Sequence, residues 1–302
     1  MVRFIGPEAE PRFDWIALTE ALEAGHLLPQ AQVKDVLLYR GKETLLNRSA
    51  WIDGMGVAVK AATIYPGNTA RGIPNLHGAV SLFADGDGRL EAIIDFALET
   101  KWKTAGDSLL AARKLARPDS RRILLVGAGV VAASMVDAYS ALFPHAEFMV
   151  WARRPGAARD FAARHGAAAV TDLKAAVAEA DIIATATMAT EPVVRGEWLK
   201  PGTHLDLIGA YTPAMREVDS DCFRRASVFV DSRLTTVDHI GDVIEPIREG
   251  AISAADIRAD FYDLASGAFG RTHDDEITLC KNGGGAHLDL MTARYILQAV
   301  RG

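Results

Sequence analysis

Arg121-Arg122-Ile123-Leu124-Leu125-Val126-Gly127-Ala128-Gly129-Val130-Val131-Ala132 is the stretch that decides the fold. The apolar run Ile123–Val126 reads as a buried parallel strand. Gly127-Ala128-Gly129-Val130-Val131-Ala132 is a G-x-G-x-x-A turn, and a helical pattern follows to Phe143, where Pro144 stops it. Strand, glycine turn and helix in that order form a dinucleotide fingerprint. Gly127 permits the tight turn, Gly129 lets the backbone approach a pyrophosphate, and Ala132 lets the helix pack close. The helix start at Val130 and Val131 offers unpaired N–H groups and a positive dipole end to phosphate. A second strand, Phe148-Met149-Val150-Trp151, arrives where a ribose-binding acid is expected, but Ala152-Arg153-Arg154 follows it. Two guanidiniums suit a 2′-phosphate better than a free hydroxyl. The expected cofactor is NADP(H) by preference, with NAD(H) as the alternative.

Outside this stretch, composition narrows the class. A chain of 302 residues, 49% hydrophobic and 24% charged, has room for one large domain or two smaller ones. A net charge of −6 without a dominant basic patch argues against nucleic acid as a partner. Cys222 and Cys280 have neither metal-ligand spacing nor a disulfide framework, so they are expected to be reduced core residues, with no metal site. Met1–Asp14 lacks a signal peptide's apolar core, and Ile123–Val136 is too short and glycine-bearing for a membrane span. A cytoplasmic protein that does not engage membranes is the expectation.

After the fingerprint, strand and helix patterns alternate: helix over Pro155–His165, a helix capped by Thr171, strand over Asp181–Thr187, strand over His204–Ile208, helix over Val218–Ala226 and strand over Ser227–Asp231. That alternation predicts an α/β fold, a doubly wound Rossmann-type parallel sheet. Ligands bind such sheets at the carboxyl ends of the strands, so Thr187-Met188 and Gly209-Ala210-Tyr211 point to the same crevice as Gly127 and Gly129. The region before Asp107 has short β-rich runs at Asp35–Tyr39, Gly56–Ala62, Ala79–Ala84 and Leu90–Phe96, after a helix at Trp15–Ala24. The boundaries expected are 1–106 with 286–302 for a substrate and dimerisation domain, and 107–285 for the dinucleotide domain.

Lys60 is the first candidate for chemistry. It follows Val57-Ala58-Val59 and precedes Ala61-Ala62, so its charge enters partly buried surroundings. A lysine there is a carboxylate clamp, an acid with a lowered pKa, or a strand residue whose head reaches solvent. Arg40 can hold a substrate carboxylate in bidentate fashion; Arg48 competes for that role, and a surface salt bridge is the alternative for both. Lys103 and Thr104 sit where a helix is expected to start and can reach cofactor phosphate or substrate carboxylate. Tyr211, at a strand end, donates a hydrogen bond to substrate or simply walls the pocket. Lys281-Asn282 either borders the nicotinamide or is a polar loop. Asp219 and Asp221 suit a helix start, and Asp274-Asp275-Glu276 reads as a solvated loop.

Several separated motifs resemble the ornithine cyclodeaminase/mu-crystallin family. They are Val59-Lys60, Tyr65-Pro66-Gly67-Asn68, Leu76-His77-Gly78, Lys103-Thr104-Ala105, the Gly127 fingerprint, Ala189-Thr190-Glu191-Pro192, Gly196-Glu197-Trp198-Leu199-Lys200-Pro201-Gly202, Ile208-Gly209-Ala210, Pro213 with Arg216-Glu217, Val230-Asp231-Ser232, Gly241-Asp242 and Lys281. The resemblance runs from about Arg40 to Asp289. It implies a homodimer, an N-terminal substrate domain and a place for His77 near the cofactor. Family members that cyclise ornithine with loss of ammonia carry aspartate where this chain has Tyr211, and many members have arginine where it has Lys103. The run Gly209–Glu217 looks most like the imine-reducing branch. The reaction implied is NAD(P)H-dependent reduction of a cyclic imino acid, Δ1-pyrroline-2-carboxylate or its six-membered homologue, to L-proline or L-pipecolate. Lys60 or water would protonate the imine, with Arg40 and Lys103 orienting the carboxylate. Ornithine cyclodeamination, amino-acid dehydrogenation and non-catalytic NADP binding are the alternatives.

Overall fold

In the computed structural model, which describes residues 2–301, the chain divides into two compact units. One comprises the residues up to Lys103 together with those from Gly285 onward; the other is Thr104–Gly284.

The first unit is built on a six-stranded sheet in the order β1 (Arg3–Ile5), β6 (Leu90–Asp95), β5 (Leu76–Phe83), β4 (Gly56–Ile64), β3 (Glu43–Ile52), β2 (Gln32–Arg40). β2 to β6 run antiparallel to their neighbours and β1 joins β6 in parallel. Helix α9 (Ala286–Arg301) packs on β3 and β4 and against α1 (Trp15–His26). Asp14 caps α1 by accepting from the Ala17 N–H at 2.8 Å, which satisfies one of the helix's free donors. Along β4 the pleat sends Ala58, Lys60 and Ala62 to one buried face. The small alanines on either side leave room for the lysine stem. β1 and β3 escape the sequence reading: β1 is three residues long, and β3 is half-buried along most of its length, so it shows no clean alternation.

The second unit is an eight-stranded, all-parallel sheet. Its order is β13 (Ile257–Ala259), β12 (Ser227–Val230), β14 (Thr278–Lys281), β11 (His204–Leu207), β10 (Ile182–Thr185), β7 (Arg122–Val126), β8 (Glu147–Trp151), β9 (Ala168–Ala169). Its helices are α3 (Val130–Leu142), α4 (Pro155–His165), α5 (Leu173–Glu179), α6 (Ser220–Arg225), α7 (Arg233–Thr236) and α8 (Gly241–Arg248). Helix α2 (Phe96–Leu115) carries the chain from the first unit into the second. This is the doubly wound parallel sheet that the alternating pattern predicts.

Three local expectations are corrected. Asp172, not Thr171, caps α5, accepting from Ala175 N–H at 3.0 Å. Lys103 and Thr104 lie two turns inside α2, where their N–H groups are taken up by the helix, so they present no free helix start to a phosphate. Glu276 is buried, pairing with Arg258 at 2.7 Å and accepting from the Thr272 hydroxyl, so the run Asp274–Glu276 is not simply a solvated loop.

Candidate active site

The turn after β7 has the geometry of a phosphate cradle. Gly127 has φ +123°, and a Cβ there would come within 2.5 Å of the Ala186 carbonyl, so only glycine fits. At Gly129, the N-cap of α3, a Cβ would meet nothing within 4 Å, and no side chain caps the helix. The first N–H groups of α3 therefore have no side-chain partner, and the Val130 side chain is 82% exposed beside them while Val131 is half-buried. A cleft of about 410 Å³ opens there, lined by Gly127, Ala128, Gly129, Arg153, Arg154, Thr187 and Met188 among others. The structure thus gathers the glycine turn, the arginine pair and the carboxyl end of β10 around one space. Neither arginine has an ion-pair partner among the described residues. A glycine turn, an uncapped helix start and two unpaired guanidiniums fit a dinucleotide with its phosphates on the turn.

Behind this cleft sits a residue whose role the sequence did not disclose. Glu217 is fully buried, and its carboxylate accepts from Thr187 N and Oγ1 at 2.7 Å each, Gly209 N at 2.8 Å, Thr185 Oγ1 at 2.9 Å and Ala210 N at 3.1 Å. It ties the ends of β10 and β11 together. A Cβ at Gly209 would lie 2.3 Å from the Thr187 backbone and 2.4 Å from Glu217, so this loop contact also requires glycine. Glu217 is held in turn by its own N–H, which donates to Asp242 Oδ1 at 2.7 Å. The sequence marked it only as part of the Arg216-Glu217 motif of the family resemblance, with no role attached.

Met188 and Tyr211 project outward from these loops, 74% and 63% exposed. Lys281 does not. It is wholly buried, donating to the Leu207 carbonyl at 2.8 Å and lying 3.6 Å from Asp242 Oδ2. A buried ammonium needs partners, and these consume it. Lys281 pins the end of β11 from within the sheet, which corrects the expectation that it borders the nicotinamide. Asn282 is likewise buried and donates to Asp206. Burial pushes the Asp242 carboxyl up to about 6 even though Lys281 draws it down.

In the first unit, Lys60 is buried with its ammonium 2.6 Å from Glu99 Oε2 and 3.1 Å from Asp289 Oδ1. The Phe96 ring centroid lies 4.9 Å away, a cation–π contact. Burial alone would lower the lysine's pKa, but Asp289 and Glu99 outweigh it and raise the value. The expectation of an acid with a lowered pKa is therefore corrected: the two carboxylates hold the proton on Lys60. Lys103 reaches this cluster from α2, where its charge draws down both Glu99 and Asp289. Arg48 stands directly opposite Lys60 in the β3–β4 register and forms a bidentate pair with Asp35, Nη2 donating to Oδ2 at 2.7 Å and Nε to Oδ1 at 3.2 Å. Arg40 is elsewhere, at the exposed end of β2, bonded to Glu43 and to the Tyr65 hydroxyl at 3.2 Å each. Of the two arginines weighed, Arg48 is the neighbour of Lys60. His77 is exposed on β5, its Nε2 bonded to the Pro74 carbonyl at 2.9 Å. Glu99 and Asp289 went unnoticed in the sequence. The first stands one helical turn before Lys103, and the second is an acid within the apolar run of α9.

Comparison with known proteins bears on these arrangements. The sequence model of the ornithine cyclodeaminase/mu-crystallin family matches residues 50–302. A Δ1-pyrroline-2-carboxylate reductase of Paracoccus denitrificans is 52% identical over 302 residues, covering 98% of this chain and 96% of that protein. The structure of Thermococcus litoralis Δ1-pyrroline-2-carboxylate reductase with NADH and L-proline superposes with a TM-score of 0.89 at 28% identity, covering 99% and 98% of the two chains. An archaeal alanine dehydrogenase dimer with bound NAD gives a TM-score of 0.88 at 26% identity, covering 99% and 96%.

Proposed function

This chain is a member of the ornithine cyclodeaminase/mu-crystallin family, and on that footing we propose that it is an NAD(P)H-dependent reductase converting a cyclic imino acid, Δ1-pyrroline-2-carboxylate or its six-membered homologue, to L-proline or L-pipecolate. The observation that carries this reading is the 52% identity, over nearly the whole chain, to a reductase of that imino acid. When bound, the nicotinamide supplies the hydride. The chain's own residues have three further tasks: to hold the dinucleotide, to attract a carboxylate and to keep a proton ready for the imine nitrogen, since a protonated imine is much the better electrophile. The glycine turn, Thr187, Met188 and the Glu217-tied loops serve the first. Lys60 and Lys103, with Arg48 beside them, serve the second, and Lys60 serves the third. Tyr211 stands where cyclising members carry aspartate, so no carboxylate is supplied there to deprotonate an amine.

NADPH is the preferred donor in this reading, because Arg153 and Arg154 line the cleft without a carboxylate beside them. The chain also works as a homodimer. The edge strand β2 exposes Val36, Leu37, Leu38 and Tyr39 in succession, Tyr39 to 73%. An unprotected apolar edge of that length invites pairing with a second copy. Sedimentation at several concentrations reads this; a monomer at all of them sinks it. Buried free cysteines suit a reducing compartment such as the cytoplasm. The reaction itself is tested by offering five- and six-membered cyclic imino acids with each cofactor, following nicotinamide absorbance and identifying the amino acid formed. Cofactor oxidation with formation of proline or pipecolate is expected; failure on both rings overturns the reading.

A further inference from the structure

Glu99 lies in the core of the first unit, and the reading above gives it no task. Its side chain is fully buried, with Oε2 on the Lys60 ammonium at 2.6 Å. The same ammonium donates to Asp289 Oδ1 at 3.1 Å, so two carboxylates share one lysine. Glu99 Oε1 and Asp289 Oδ2 are buried without a hydrogen-bond partner among the described residues. A charged carboxylate with an unpartnered oxygen in the core costs far more than a neutral acid in the same place.

The surroundings decide which of the two keeps a proton. Arg48 faces the pair from β3, held by Asp35 of β2, and Lys103 faces it from α2. His287 faces it from α9, with His26 of α1 edge-on at 5.6 Å. Burial, with the charges of His26 and Lys103, drives the His287 imidazole down to about 3, so it stays neutral. For Asp289, burial raises the pKa, but Lys60, Lys103 and Arg48 together outweigh it and the carboxyl ionises. For Glu99, burial dominates, and the charge of Asp289 adds to it against the pull of Lys60 and Lys103; the carboxyl is pushed up to about 7. Two like charges against one cation separate into one ionised and one protonated acid, as carboxylate pairs do elsewhere.

We propose that Glu99 is the proton store of this site, protonated in the resting protein and refilling Lys60 after Lys60 has protonated the imine nitrogen of the substrate. This rests on the reading of the chain as an imino-acid reductase with Lys60 at its site. In the first transfer an Nζ–H bond of Lys60 breaks and an N–H bond forms on the imine. In the second, the O–H bond of Glu99 breaks, Nζ regains its third hydrogen, and Glu99 is left as a carboxylate against the ammonium. Water returns the proton to Glu99 between turnovers. Without this second proton, with both acids ionised, the donor would be a lysine whose proton two carboxylates hold tightly, a weak acid. With it, the net donor is an acid near neutrality, where general acids work best. The same protonation leaves Lys60, Lys103 and Arg48 facing only Asp289 and Asp35 as anions. The surplus positive charge suits a substrate carboxylate.

Two readouts test the proposal together. In the ligand-free protein, the infrared carbonyl band of a protonated carboxylic acid is expected to fade as pH rises through about 7, to vanish in Glu99→Gln and to shift in Glu99→Asp. In turnover of the imine, kcat should fall on the alkaline side through the same pH. In Glu99→Gln the limb near neutrality disappears and kcat drops by roughly 10²-fold, with the KM for the imino acid nearly unchanged because glutamine copies the neutral acid. No carboxylic-acid band assignable to Glu99, or a Glu99→Gln protein with native kcat and native pH profile, overturns the proposal. If Glu99→Gln does not fold, the band in the native protein and its shift in Glu99→Asp decide. A native chain that shows the band yet turns over no cyclic imine contradicts the reaction reading instead.

Discussion

Strands β7 and β10 of the second unit and strands β2 to β4 of the first follow different rules. β7 is buried from Ile123 to Val126, and β10 along its whole length. These two strands bury no charged side chain, so what they offer a ligand is backbone at the strand ends, whereas β11 and β14 beside them bury Asp206 and Lys281 as partnered groups. The antiparallel strands of the first unit have one face under α9, and there they bury a lysine. On the proposed reading, the second unit contributes glycines, N–H groups and the Arg153-Arg154 pair. The first contributes charges that come together only through packing. The lesson is that burial excludes charge where no partner arrives with it, as in β7 and β10, and concentrates charge where partners do, as at Lys60 in the first unit and Lys281 in the second.

Removing Lys60 tests the first half of that contrast most severely. Lys60→Ala should lower the rate of imine reduction by about 10²-fold or more, since positioned acids contribute roughly 10²–10⁴-fold. Lys60→Arg should not restore it, because a guanidinium keeps its proton near neutral pH and has a different shape. Steady-state rates on the two variants decide, and a Lys60→Ala protein with native turnover would show that the buried charges are purely structural.

The second half is tested at Glu217. Glu217→Ala strips a partner from several buried donors at once, and each orphaned donor costs about 1–3 kcal/mol. The expected result is a lower unfolding midpoint together with weaker binding of both dinucleotides, read by denaturant titration and fluorescence. Unchanged binding of both would mean that the ends of β10 and β11 are placed without this carboxylate.

A smaller and more selective effect is expected at Arg153. Losing one charge-assisted phosphate contact costs about 1.5–3 kcal/mol, so Arg153→Ala should weaken NADPH by roughly one to two decades and NADH far less. Equal weakening of both would remove the arginine from any role at the 2′-phosphate.

How far the sequence disclosed these features follows from the same contrast. The β7–α3 turn, Arg153-Arg154 and the alternation that builds the parallel sheet were legible because local patterns of apolar runs and glycines encode them, whereas the order of its strands was not. Lys60 was legible as a charge in an apolar strand. Its partners were not: Glu99 and Asp289 stand 39 and 229 residues away along the chain and meet it only in the folded sheet. β3 was missed for a related reason, since half-burial along most of the strand leaves no period to read. Lys281 misled because its residue type suggests solvent, while the fold buries it against Leu207 and Asp242.

The central claim is that this chain reduces a preformed cyclic imine and does not build one from ornithine. Offering Δ1-pyrroline-2-carboxylate with NADPH and, separately, ornithine with NAD, while measuring proline and ammonia in each, tests it most directly. Rapid formation of L-proline from the imine, with little or no ammonia from ornithine, is the expected result; robust ammonia release from ornithine would contradict it.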